Sequence, residues 1–142
     1  SLVKLIEKKN FYYDLDLQTP QEVITYMCDR LEEAGYCNED FKNSVLQREK
    51  MAATSFVYSF AVPHSLNVAS ICPSISVAFL KKPIQWGDFE VKMVMLLATN
   101  EEQSNILKMF FSWLSNMIND ANHFAALLET KSYEEFIAKI IE

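Results

Sequence analysis

Few residues in this chain can do covalent chemistry. Its 142 residues include two histidines, His64 and His123, and three cysteines, Cys28, Cys37 and Cys72. His64 closes the run REKMAATSFVYSFAVPH, which passes from a charged stretch into an apolar one and stops behind Pro63. A strand end followed by proline gives a rigid, open position, and chemistry concentrates on loops held by a scaffold. An imidazole placed there can attack phosphorus directly. One ring nitrogen must be neutral and exposed, and the other must be held by a hydrogen bond that fixes the tautomer. The phosphoryl oxygens then need donors. Arg48 offers a forked cation. Thr54, Ser55 and Ser65 offer hydroxyls.

The other reactive side chains lack such a setting. His123 lies in an Ala/Leu-rich helical stretch and reads as a helix-surface or half-buried residue. Cys72 has no phosphate-binding loop around it and reads as a plain thiol. Trp86 reads as a cap over the core. Phe110, Phe111, Trp113 and Leu114 read as core, with Trp113 a docking surface if it is turned outward. Glu49 either orients Arg48 or pairs with it on the surface.

Composition excludes several functions. The net charge is −6 and the pI about 4.9, so the domain lacks the basic face that nucleic acid requires. It suits a partner with a basic docking surface. With two glycines, Gly35 and Gly87, neither a P-loop nor a dinucleotide fingerprint is possible. Two distant histidines and no CxxC pair leave no zinc site, and no metal or cofactor is expected. The three cysteines read as free thiols of a reducing, cytoplasmic protein. No apolar run is long enough to cross a bilayer, and SLVKLIEKKN is no signal peptide. The absent initiator Met points to a processed chain or to a piece of something longer.

The elements that must position His64 are legible in outline. FYYDLDL (11–17) reads as a short strand or extended segment. Thr19, Pro20 and Glu22 open a helix with a capping box, Val23, Ile24, Met27 and Leu31 form its apolar stripe, and Gly35 ends it. Asn38 caps a second helix, with Phe41, Val45 and Leu46 inward and Arg48 and Glu49 in its last turn. SFVYSFAV (55–62) and SISVAFL (74–80) read as strands, 81–90 as a connection, and VKMVMLLA (91–98) as a strand covered on both faces. Asn100 caps a long amphipathic helix bearing Ile106, Leu107, Phe110, Phe111, Leu114 and Met117. A short helix (121–129) follows, and Ser132 with Glu135 caps the last one. This is an α/β pattern, a sheet packed with helices.

Taken together, Arg48-Glu49, Thr54 and Ala61-Val62-Pro63-His64 resemble the signature of the fructose–mannitol type enzyme IIA domains of the bacterial sugar phosphotransferase system (PTS). That signature is RE, a threonine a few residues on, and an apolar pair before Pro-His. The resemblance extends over nearly the whole chain. It takes in the helix opened by TPQEV, the AGYCNEDF segment and the KKPIQW turn before the apolar strand. It implies one domain over 1–142, with a mixed β-sheet flanked by helices. It also implies that His64 carries a phosphoryl group received from the phosphocarrier protein HPr, and that Arg48 helps to hold it. Many transport-type members carry a second active-site histidine at the start of the helix after the last strand. Here that region reads NEEQSNILKMF, and the position falls on Gln103 or Ser104. Gln103 can donate a hydrogen bond near a helix N-terminus, where free N–H groups favour an anion, but it cannot titrate.

Two functions follow from the resemblance. In the first, the domain is the phosphoacceptor unit at the C-terminal end of a sugar-responsive transcriptional regulator, and phosphorylation of His64 alters contacts with neighbouring domains. In the second, it is a catalytic enzyme IIA that passes phosphate to an enzyme IIB during uptake of a sugar of the fructose, mannitol or galactitol type. The missing second histidine, the LKKPIQW stretch and the absent initiator Met favour the first.

Overall fold

The computed structural model describes residues 2–100 and 105–141. Local hydrogen bonds set its helix ends. Thr19 is extended and its hydroxyl accepts from the Glu22 N–H at 3.1 Å, with Pro20 at the first position of α1 (Pro20–Glu33). At the other end Gly35 has φ +80°, its N–H bonds to Glu32 O at 3.0 Å, and the Tyr36 N–H bonds to Leu31 O at 2.9 Å. That double closure is a Schellman motif. Asn38 caps α2 (Glu39–Met51) by accepting from the Phe41 N–H at 3.3 Å. The helices α3 (Ile106–Ile118), α4 (Ala121–Leu128) and α5 (Tyr133–Ile140) follow the sheet, and Ser132 caps α5 through the Glu135 N–H at 3.1 Å. Asn105 stands before the described start of α3 and makes no side-chain cap; the helix start expected at Asn100 runs into residues outside the described ones. Gln103 lies outside the described residues.

The five strands are β1 (Phe11–Leu15), β2 (Ser55–Phe56), β3 (Phe60–Ala61), β4 (Ser74–Trp86) and β5 (Phe89–Ala98). They form one mixed sheet in the order β1-β4-β5-β3-β2. β1 runs parallel to β4 and β3 parallel to β5, while β4–β5 and β2–β3 are antiparallel pairs. Side chains alternate across the central strands, as the period of two demands. Val77, Phe79, Met93, Met95 and Phe60 face one way, against Phe110, Phe124 and Phe136 of α3–α5. Ala78, Leu80, Val94, Leu96 and Ala61 face the other, against Val23, Met27, Phe41 and Val45 of α1 and α2. β5 is thus covered on both faces.

Two sequence expectations need correction. Residues 55–62 are not one strand. Ser55 pairs with Ala61 and Phe56 with Phe60, and Ser59 takes φ 66° to close a tight hairpin. The closure stacks the Phe56 and Phe60 rings, with centroids 4.9 Å apart at 14°. Nor is 81–90 a loose connection. β4 continues to Trp86 with Ile84 and Trp86 buried and Gln85 exposed, and it turns over Gly87-Asp88 into β5. Pro83 is accommodated because the register shifts between Phe79 and Ile84, so this segment lacks regular pairing with β5.

Gly87 has φ +62°, and a Cβ there would lie 2.5 Å from the Ala53 Cβ. Gly87→Ala combines an unfavourable φ with a contact to the α2–β2 loop, so it is expected to cost about 1–3 kcal/mol. Chemical denaturation checks this; an unchanged midpoint means that the tip is not seated on Ala53.

Candidate phosphoacceptor site

His64 leaves the sheet where the parallel pair β3–β5 ends. The Leu97 N–H bonds to Pro63 O at 3.0 Å, and His64 makes an isolated parallel bridge with Leu97. The crevice beyond the carboxyl ends of parallel strands is a recurrent ligand position. The imidazole Nδ1 lies 2.8 Å from Val62 O. A carbonyl can only accept, so Nδ1 carries the proton and Nε2 keeps its lone pair. The ring meets Phe111 of α3 edge-on, with centroids 6.3 Å apart at 81°.

Burial holds His64 below the ordinary 6.5, and the Arg48 cation pushes in the same direction. The Val62 carbonyl and the Glu49 carboxylate oppose them. The neutral, nucleophilic ring therefore persists to lower pH than in a free histidine. NMR titration of His64 should give a midpoint below 6.5, with phosphoryl acceptance rising with pH through it and level at neutrality. A midpoint above 6.5 would contradict this balance of burial and charge.

Arg48 sits in the last turn of α2, half-buried, and its Nη1 donates to Ala52 O at 2.6 Å. Its charge contributes to holding His64 below its ordinary value, while its guanidinium is bonded to the Ala52 carbonyl rather than to the imidazole. The hydroxyls are engaged elsewhere. Thr54 Oγ1 donates to Glu49 Oε1 at 2.7 Å, Ser55 Oγ to Trp86 O at 2.5 Å, and Ser65 Oγ to Val68 O at 2.6 Å. They brace the loops around His64, and each spends its one proton in doing so. A small cleft of about 200 Å³ lies beside the site, between Ser65, Asn67, Val68, Thr99 and Leu107.

Glu49 makes no direct bond to Arg48 and does not pair with it on the surface. It is 9% exposed and accepts from the Thr54 N–H at 2.6 Å, the Thr54 hydroxyl at 2.7 Å and the Trp86 indole N–H at 2.9 Å. Adjacent residues on a helix point about 100° apart, which separates the two roles. Trp86 is fully buried, as a core cap should be. A buried indole needs an acceptor, and that requirement was the one available signal for its pairing with Glu49. The Val62 carbonyl left no side-chain signal at all.

The remaining candidates stand apart. His123 is half-buried on α4, with its N–H bonded to Asp120 Oδ1 at 3.1 Å. Trp113 is partly buried against Phe110, with centroids 5.5 Å apart. Cys28 and Cys37 are buried thiols, pushed up to about 12 and about 11 by burial, and so are inert. Among the described residues no group of three or more His, Cys, Asp or Glu side chains is placed to hold a metal ion. No described helix is long and apolar enough to cross a membrane.

Known proteins share this chain's sequence pattern and fold. The chain is 29% identical to the "Probable licABCH operon regulator" of Bacillus subtilis, over 93% of its own length and 21% of that protein. It is 37% identical to "Transcriptional regulator ManR" of the same organism, over 66% of this chain and 14% of that one. The chain thus spans about a fifth or less of these relatives. Among solved structures, the complex of enzyme IIAMTL and phosphorylated enzyme IIBMTL from Escherichia coli contains a chain of the same fold. Its TM-score is 0.82 at 19% identity, covering 96% of this chain and 99% of that one. The family model "Phosphoenolpyruvate-dependent sugar phosphotransferase system, EIIA 2" matches residues 4–142. That match takes in nearly the whole chain, and the chain belongs to the EIIA 2 family of the phosphoenolpyruvate-dependent sugar phosphotransferase system.

Proposed function

We propose that this domain accepts a phosphoryl group from phosphorylated HPr on Nε2 of His64, and that it serves as the regulatory unit of a sugar-responsive transcriptional regulator in the cytoplasm. The observation that carries the reading is the Nδ1–Val62 O bond of 2.8 Å, which leaves Nε2 as the free nucleophile at an open strand end. In the reaction the Nε2 lone pair forms an N–P bond as the donor's own N–P bond breaks. The released electron pair returns to the donor's ring nitrogen. Nδ1 keeps its proton and its carbonyl, so the phosphorylated ring is a cation facing that carbonyl. Arg48 supplies positive charge to the transferring oxygens. Thr54 holds the loop, and Gln103 or Ser104, at the position of the family's second histidine, would add a donor to the phosphate.

Identity to the two regulators supports the regulatory role, as does the glutamine or serine at the second-histidine position. The added charge of phosphohistidine would act on contacts with neighbouring domains of the same protein. Incubation with enzyme I, HPr and labelled phosphoenolpyruvate should place one acid-labile phosphoryl group per chain, with phosphorus coupling on Nε2 by NMR. Label on Nδ1, or on another residue, overturns the assignment. Rapid onward transfer to an enzyme IIB would instead favour the transport role.

A further inference from the structure

The structure builds a chain of hydrogen bonds from the tip of the β4–β5 hairpin to the reactive imidazole. It starts at the Trp86 indole N–H, which donates to Glu49 Oε2 at 2.9 Å. The same carboxylate takes the Thr54 N–H at 2.6 Å and the Thr54 hydroxyl at 2.7 Å. Thr54 O then receives the Val62 N–H at 3.0 Å. The chain ends at Val62 O, 2.8 Å from His64 Nδ1. A second branch leaves the same loop, where Ala52 O receives Arg48 Nη1 at 2.6 Å. Both functional side chains are thus bonded to carbonyls, Arg48 to Ala52 O in the loop that Glu49 and Trp86 clamp and His64 to Val62 O, whose residue is tied to that loop through Thr54 O.

A carboxylate that is 9% exposed is an expensive clamp. Apolar replacements commonly match or exceed the stability of a buried ionic group, so stability alone is a poor reason for it. Three donors converging on two oxygens do specify one loop geometry, which apolar packing would not. Gly87 seals the arrangement from outside, since it packs directly on Ala53 with no room for a Cβ. We infer that Glu49 and Trp86 are positioning residues for phosphoryl acceptance. They fix the carbonyls of the α2–β2 loop and of Val62, and thereby the placement of Arg48 and the Nδ1–H tautomer of His64. This inference rests on the reading of His64 as the phosphoacceptor.

Trp86→Phe keeps the buried ring but removes the donor, and Glu49→Ala removes the hub. Acceptance from phosphorylated HPr should fall about tenfold in the first and about a hundredfold in the second, the scale expected of small misplacements of reacting groups. Nitrogen NMR should show His64 gaining the Nε2–H tautomer in both. Glu49→Gln should restore most of the rate, because the amide oxygen can take the two N–H donors while the Thr54 hydroxyl turns to accept. Phe136→Leu, a buried change on the opposite layer, controls for lost stability and should leave both readouts unmoved. Should Glu49→Ala fail to fold, Trp86→Phe and Glu49→Gln carry the test. Wild-type labelling and an unchanged tautomer in Trp86→Phe overturn the inference, as does a Glu49→Gln protein no better than a hundredfold slow. If His64→Ala itself still takes up label, the phosphoacceptor reading fails instead. If His64→Ala is silent while Trp86→Phe labels normally, only the positioning role is lost.

Discussion

His64→Ala is expected to take up no acid-labile label, with incorporation at background after any length of incubation. No other described group combines the required properties. Nε2 of His64 is unprotonated, stands at the end of a parallel strand pair and has its tautomer fixed by Val62 O. His123 belongs to α4, and the buried thiols Cys28 and Cys37 stay protonated. Arg48→Ala leaves the nucleophile but removes the nearby cation, and should slow acceptance by about 10²–10³. Arg48→Lys should recover only part of this, because an ammonium lacks the planar fork that spans two phosphoryl oxygens. Label on His64→Ala equal to the parent would remove this residue from the chemistry, and an unchanged Arg48→Ala rate would remove the arginine.

The largest expected effect on stability belongs to Phe136→Ala, at about 3–5 kcal/mol. The Phe136 ring is fully buried and lies 5.5 Å from Phe11 and 5.8 Å from Phe79 between centroids. It therefore ties α5 to both β1 and β4. Removing it opens a cavity whose other walls are held by the sheet and cannot collapse far. A loss of this size is a large part of a typical domain's stability, and should lower Tm by roughly 10 °C. A calorimetric scan checks it, and a shift of only one or two degrees would mean that the layer repacks. Below its melting point the variant should still accept phosphate, because His64 and the Glu49 clamp lie elsewhere.

The sequence was most readable where structure is local. Thr19, Asn38 and Ser132 cap through bonds to N–H groups three residues on, and Gly35 closes α1 within one turn, so their types and spacing suffice. The positions of His64 and Arg48 in the fold were legible for a related reason, since a proline-ended strand and a helix end mark where a residue stands. The hairpin at 55–61 was not legible. Phe56, Val57, Tyr58 and Phe60 give it the look of one strand, and nothing in the type of Ser59 announces φ 66°. The run 81–90 misled in the opposite sense. Pro83 and Gly87 read as loop residues, while the alternation of Ile84 and Trp86 with exposed Gln85 carried the strand. Glu49 depended on a partner far along the chain, Trp86, and on the backbone N–H of Thr54, which no residue type encodes.

The outer strands of the sheet also limit how any partner can approach. β2, on one rim, is two residues long. β1, on the other, is five residues long and kinked at Asp14, where φ is 61°. Past Leu80, the last residue paired with β1, β4 presents exposed Lys81, Lys82 and Pro83. Short rims, lysines and a proline are what natural sheets use against edge-to-edge aggregation. They leave no open row of peptide groups long enough for an incoming strand to extend the sheet. Recognition of this domain must then be written in side chains and loop surfaces, and its exposed backbone is guarded against edge-to-edge association.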